Sequence, residues 1–205
     1  MGRHTQAACR LCRRAKKKLF LKGEKCYTPK CPVEKRPFAP GQHGKIQAKV
    51  SEYGIRLREK QQARQIYGLQ ETQFANVFDQ ATLEKGVTGE KLLELLERRL
   101  DNVVYRLGWS SSRPEGRQMV RHGHVRVNGR RVNIPSYRVK VGVTVTSMLT
   151  GKRSEELAEK LKDRIIPAWL ELNGDAREGV IKGFPAKADV GAPVSEQLIV
   201  EYYSR

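Results

Sequence analysis

"SSSRPEGRQMVRHGHVRVNGRRVNIPSYRVKVGVTV", residues 110–145, decides the fold, because its apolar period changes once and its turn residues mark where. Ser112 and Glu115 have the spacing of a capping box, with Pro114 tolerated in a first turn. The pattern predicts a short helix running to about His122 and stopped by Gly123. Val125 and Val127 then alternate with Arg126, and Asn128-Gly129 supplies a two-residue hairpin turn. Val132 and Ile134 continue the alternation on the return strand. Pro135-Ser136 turns the chain again, ahead of a third strand through Val139, Val141, Val143 and Val145. Arg113, Arg117 and Arg121 fall four apart and so share one face, beside the half-positive end of their own helix at Ser112. Phosphate is the natural target of such a face. His122 and His124 flank Gly123, and no acid lies close enough in sequence to form a catalytic pair with them.

Upstream, "TGEKLLELLERRLDNVVYRLG" (88–108) carries one long stripe of Leu92, Leu96, Leu100, Val103, Val104 and Leu107, which predicts a core helix ended by Gly108. "SEYGIRLREKQQARQIYGLQETQFANVFDQA" (51–81) predicts a helix near 52–66, a break at Gly68, and another helix near 70–84. The polar faces of this pair carry Arg56, Arg58, Lys60 and Arg64, which suit a solvated face and an RNA contact equally well. Downstream, Ser154 opens a helix with Leu157, Leu161 and Ile165 on one side and Pro167 at its end. "EQLIVEYYS" (196–204) alternates as a strand would and is expected to dock back on the helical body.

The chain is 205 residues long with a net charge of +18, and the charge is not evenly spread. Residues 1–50 hold 14 Lys or Arg against 2 acids, and residues 101–150 hold 9 against 2. Residues 51–100 balance at 8 against 8, and residues 151–205 hold 9 against 10. Two basic blocks imply two contacts with one polyanion, nucleic acid before membrane, since neither block has the apolar face of an amphipathic membrane helix. No run approaches the length of a membrane span, and the basic N-terminus has no apolar stretch behind it. A cytoplasmic protein is expected.

All four cysteines, Cys9, Cys12, Cys26 and Cys31, lie within "CRLCRRAKKKLFLKGEKCYTPKC" (9–31) among nine Lys or Arg. Two pairs joined by a long loop are the layout of a four-thiolate structural zinc site. A [4Fe–4S] cluster suits the same ligands, and unliganded reduced thiols are the third reading. Four thiolates around Zn²⁺ carry net −2, which the neighbouring cations offset. Residues 1–45 are too poor in apolar side chains to fold by burial, whereas metal binding supplies about 10–16 kcal/mol in small sites. His4 and His43 fall outside the ligand spacing, so no catalytic metal is expected.

"RRLDNVVYRLG", "GRQMVRHGHVRVNGRRVNIPSYRV", "YGIRLREKQQARQIYGLQETQF", "RPFAPGQHG" and "QLIVEYYSR", in their order along the chain, resemble one family: bacterial small-subunit ribosomal protein four, in its four-cysteine form. The likeness covers residues 2–205. It implies a structural, non-enzymatic constituent of the small subunit in the cytoplasm. Such a protein binds 16S-type ribosomal RNA on its 5′ domain, nucleates assembly and contributes to translational accuracy. It also implies small-subunit protein five as a neighbour and messenger RNA nearby, where it enters the subunit, with no membrane and no small-molecule substrate. Carried over by motif, Arg113, Arg117, Gln118, Arg121, His122, His124, Arg126 and Asn128 would contact RNA from the helix-and-hairpin module. Arg3, Arg13, Arg14, Lys22, Arg36, His43, Arg56, Lys60 and Arg64 would contact other RNA helices. Gly116 stands where the family has Ala, at a helix-interior cost of roughly 1 kcal/mol, and Gly142-Val143 replaces Gly-Asp.

The expected fold is α+β in three parts: a metal-clipped extension over 1–45, a helical domain over 46–95 with the 194–205 strand docked back on it, and a domain over 96–193. The last contains a helix-turn-helix plus antiparallel hairpin module at about 98–160. The competing functions are an RNA-modifying enzyme or a zinc-dependent nucleic-acid regulator carrying the same module. An enzyme would need a further catalytic domain, and too little chain is left for one.

Overall fold

The computed structural model describes residues 4–46, 49–149, 165–173 and 177–204. Arg3 and nearly all of the helix expected from Ser154 lie outside them. The chain divides into two compact units, one of Met1–Leu92 with Gly191–Arg205 and one of Leu93–Val190.

The first unit begins with α1 (Cys9–Ala15), a single 3-10 turn (Gly23–Cys26) and α2 (Pro32–Lys35). α3 (Glu52–Ile66) starts at Ser51, whose hydroxyl accepts the Gly54 N–H at 3.2 Å, and α4 (Glu71–Leu83) follows. α4 buries Phe74, Val77, Phe78 and Ala81, the i, i+3, i+4, i+7 face that its sequence announces. α3 is out of phase with expectation. It exposes Ile55 and buries Glu59 and Lys60 with Ala63 and Ile66, because both charges find partners there.

The C-terminal segment is a helix and not the expected strand. Glu196–Tyr203 is helical, buries Glu196 and Ile199 fully or nearly so, and stacks Tyr203 on Phe78 at 4.3 Å between ring centroids. Glu196, Ile199 and Tyr203 recur at helical spacing, and the apolar run between them satisfies either period. The helix docks on α3 and α4 through Tyr53–Tyr202 and Phe74–Tyr203 ring contacts and an Arg56–Glu201 ion pair of 2.6 Å.

The boundary between the units falls within α5 (Thr88–Glu97), and α6 (Leu100–Arg106) follows it. The stripe from Leu92 to Leu107 is fully buried as expected, yet it belongs to two helices and not one. Arg99 is extended (φ −67°, ψ 136°) and bridges Arg138, while the Leu100 N–H donates to Tyr137 O at 2.8 Å and Val139 N–H to Arg98 O at 3.0 Å. Tertiary backbone pairing overrides the continuous helix.

α7 (Arg113–Arg121) ends at Gly123 (φ +74°) with the His124 N–H donating to Met119 O, a left-handed cap of the expected kind. Its start differs from expectation. Ser112 makes no side-chain cap, and Glu115 instead accepts from the backbone and hydroxyl of Ser111 at 2.7 and 2.6 Å. A Cβ at Gly116 would stand 2.8 Å from the Asp101 carbonyl oxygen and 2.9 Å from Ser110 Oγ. The glycine therefore permits the close approach of α6 and α7.

β1 (Val125–Val127), β2 (Arg130–Arg131), β3 (Thr144–Ser147), β4 (Leu170–Leu172) and β5 (Glu178–Ile181) form an antiparallel sheet in the order β2-β1-β3-β5-β4. The return strand is shorter than expected and leaves Ile134 exposed, and the third strand begins only at Thr144, after a turn at Val141-Gly142. The core under this sheet joins Leu100, Val103, Val104 and Leu107 of α6 and its end with Met119, Val120, Trp109 and Trp169.

Candidate nucleic-acid interface

The hairpin is built from its turn. Asn128 (φ +47°) and Gly129 (φ +76°) both take positive φ, the geometry of a type I′ connection. A two-residue turn fixes the register, so Arg126 faces Arg131 and Val127 faces Arg130. Val125 and Val127 point into the core, which leaves Arg126 exposed opposite an exposed Arg131. Like charges directly opposite each other destabilise a strand pair. The free protein holds this conflict on its surface, and a polyanion would relieve it. Arg131 Nη2 donates to the His122 carbonyl at 3.0 Å, and Arg121 and His122 are exposed at the end of α7. The His122 and His124 rings stand 6.1 Å apart, with His124 half-buried. Arg130 and Arg131 were absent from the residues expected to contact RNA, although the Asn128-Gly129 turn already dictated their register.

The arginine face of α7 does not point outward as a set. Arg117 is only 6% exposed and pairs with Asp101 Oδ2 at 3.3 Å. Asp101 also takes two hydrogen bonds from Arg99, at 3.1 and 2.8 Å. Arg113 donates to Asn102 Oδ1 at 2.7 Å and lies over the Tyr105 ring at 4.6 Å. Glu97 receives Arg106 in a bidentate pair of 2.7 and 2.8 Å and an Asn102 N–H at 2.8 Å. The four-residue spacing does put the arginines on one side, and acids of α5 and α6 claim two of them. Of the helix residues expected to contact RNA, Gln118 and Arg121 are exposed. Asn128 is exposed, but its Oδ1 accepts the Thr144 N–H at 2.9 Å and so serves the turn.

In the first unit, Arg14, Lys22, Arg36 and His43 are exposed. Arg13 is held by its Nε–H to Phe38 O at 3.0 Å and lies 5.2 Å from the Phe38 ring. Lys60 is 3% exposed, bonded to Glu71 and 4.3 Å from the Tyr202 ring, an interior role that does not fit direct RNA contact. Arg56 pairs with Glu201, and Arg64 donates to Gln61 at 2.5 Å and lies 3.6 Å from Glu71.

The cysteines occupy one small lobe. Cys12, Cys26 and Cys31 are buried and Cys9 half-buried, with Leu19 and Leu21 buried beside them. The Lys22 backbone N–H donates to Cys26 Sγ at 3.4 Å. Burial pushes the Cys12 thiol up, a backbone hydrogen bond with Leu19 opposes this, and the charges of Cys26, Cys9 and Cys31 add to the rise. Among the described residues no three or more His, Cys, Asp or Glu side chains are gathered closely enough to hold an ion. The donor set, four thiols with backbone N–H groups turned toward sulfur, still fits a thiophilic metal. Lys17 joins the lobe to α3 through Glu59 at 2.9 Å, and Glu59 also accepts the Ser195 N–H at 3.3 Å. Among the described residues no helix is long and apolar enough to cross a membrane.

Two family models match the chain. Residues 3–97 match "Ribosomal protein S4/S9 N-terminal domain" and residues 98–145 match "S4 domain". Similar relatives include the small ribosomal subunit protein uS4 of Pelotomaculum thermopropionicum, 56% identical over 208 residues and covering 100% of both chains. The uS4 proteins of Dictyoglomus thermophilum and of a Geobacter species are 54% and 53% identical over the same full span.

Proposed function

The chain belongs to the small ribosomal subunit protein uS4 family, and from that premise we propose that it is a structural constituent of the small subunit that binds ribosomal RNA. It is not an enzyme. End-to-end similarity to ribosomal proteins carries this reading, and the exposed Arg121–Arg126–Arg130–Arg131 group supplies its physics. Lys and Arg neutralise phosphates and release counterions, so affinity comes from many such contacts, with shape recognised before sequence. Arg14, Lys22, Arg36, His43, Gln118, Arg121, His122, Arg126 and Asn128 are the expected contacts that stand exposed, Asn128 with its Oδ1 engaged in the turn. Arg113, Arg117 and Lys60 serve instead to position the elements that carry them.

On the same reading, Cys9, Cys12, Cys26 and Cys31 hold one zinc ion, which clips the basic lobe into shape. A [4Fe–4S] cluster is the alternative those ligands would take. The finer placement rests on the family resemblance. It puts the protein on the 5′ domain of the RNA, beside small-subunit protein five and near the messenger, with roles in assembly and accuracy. The test is filter binding to purified small-subunit RNA as salt is raised. Six to ten phosphate contacts lose about 10³–10⁵ in affinity between roughly 50 and 200 mM. A flat titration, or equal affinity for duplex DNA of the same length, would overturn the reading.

A further inference from the structure

Phe20 is one of three described residues other than glycine at positive φ, at +50°. It sits between Leu19 and Leu21, both buried in the cysteine lobe. Left-handed backbone is costly for a residue with a Cβ, and such outliers persist where the surroundings enforce them. Here the half-buried Phe20 ring, between the two buried leucines in sequence, stacks on Tyr27, 5.0 Å away between centroids and 28° from parallel. Tyr27 is held through its backbone. Its N–H donates to Glu24 O at 3.0 Å as it closes the 3-10 turn, and Thr28 Oγ1 donates to Lys25 O at 3.1 Å. Yet 69% of Tyr27 is exposed, and Lys22, Lys25 and Lys30 around it in sequence are exposed as well. A flat, exposed ring backed by a second ring, among exposed ammonium groups, is the chemistry of a base-stacking platform with an electrostatic rim.

We infer that Tyr27, backed by Phe20, stacks on an unpaired base of the ribosomal RNA, with Lys22, Lys25 and Lys30 on the flanking phosphates. The inference rests on the RNA-binding reading above and deepens it, since it names a contact made by stacking and not by charge. Stacking releases no counterions, so its loss lowers affinity without changing the salt dependence.

The experiment is filter binding of the full-length, metal-loaded protein to small-subunit RNA across a salt series, for wild type, Tyr27→Phe, Tyr27→Leu and Tyr27→Ala. Tyr27→Leu keeps apolar bulk over Phe20 and so guards against an unfolded lobe. Tyr27→Phe should bind as wild type. Tyr27→Leu and Tyr27→Ala should bind about five- to a hundredfold more weakly with an unchanged slope in salt. Tyr27→Leu binding as tightly as wild type overturns the inference, whatever Tyr27→Ala does, because the ring is then only packing. Unchanged affinity in every variant assigns the ring to a protein neighbour or to solvent, and leaves the RNA-binding reading intact. A wild-type protein that fails to bind the RNA sinks both.

Discussion

Glu97 is completely buried, and its carboxylate accepts from Arg106 and Asn102, groups that the helix-and-hairpin unit needs in place. Arg106 grips both of its oxygens, and Asn102, which also bonds the Glu97 carbonyl, passes the constraint on to Arg113. Removing one partner of a buried pair strands the other charge, at about 3–5 kcal/mol. Glu97→Ala should therefore lower stability by that order in urea unfolding, although the residue touches no RNA. Arg121→Ala, at an exposed site, should leave stability nearly unchanged and weaken RNA binding. Gly116 gives a second test at this scale. Helix propensity alone would favour Ala there by roughly 1 kcal/mol. The added methyl would meet the Asp101 carbonyl at 2.8 Å, so Gly116→Ala should fail to raise the melting temperature. The four-residue arginine spacing was legible in the sequence. That Asp101 and Glu97 would claim Arg117 and Arg113 was not, because a side chain's partner depends on how two helices pack and not on its own period.

The hairpin of β1 and β2 was the most legible element, since Asn128-Gly129 specifies both the turn and the register. Its Arg126–Arg131 opposition leads to a paired prediction. Arg131→Gln should stabilise the free protein against heat by removing a like-charge pair, and should reduce the salt slope of RNA binding by about one. Loss of a purely structural arginine would instead destabilise the protein and leave the slope unchanged. Elements with ambiguous periods were less legible. Leu198, Ile199, Val200, Tyr202 and Tyr203 satisfy alternation and helical spacing alike, and tertiary docking, with Tyr203 on Phe78 and Tyr202 on Tyr53, selects the helix. The stripe of α5 and α6 fails differently. Its apolar period runs unbroken through Arg99, and the backbone bridge to Arg138 that splits it is 39 residues away in sequence. Local pattern cannot register a competitor so distant.

Across the whole molecule the two basic blocks fall in different compact units, residues 1–50 in the first and 101–150 in the second. One unit gets its order from a core of Leu100, Val103, Val104, Leu107 and the valines of the sheet. The cysteine lobe has little such core beyond Leu19, Leu21 and three buried thiols, and the proposed metal would supply the order that burial does not. The two blocks should therefore separate under chelation. Stripping the metal, or Cys9→Ser, should abolish amide-exchange protection through α1 and α2 while protection in α6, α7 and β1 persists. α8 (Glu196–Tyr203) should stay docked, since Glu59 keeps its bond to Ser195 N–H when Lys17 leaves and Tyr203 keeps its stack on Phe78. RNA binding should survive with a shallower salt slope, because the cations of the second block remain ordered. Added Zn²⁺ should restore protection and slope in the stripped wild type and fail to do so in Cys9→Ser. Unchanged protection of α1 and α2 after chelation would show that the lobe orders itself without a metal.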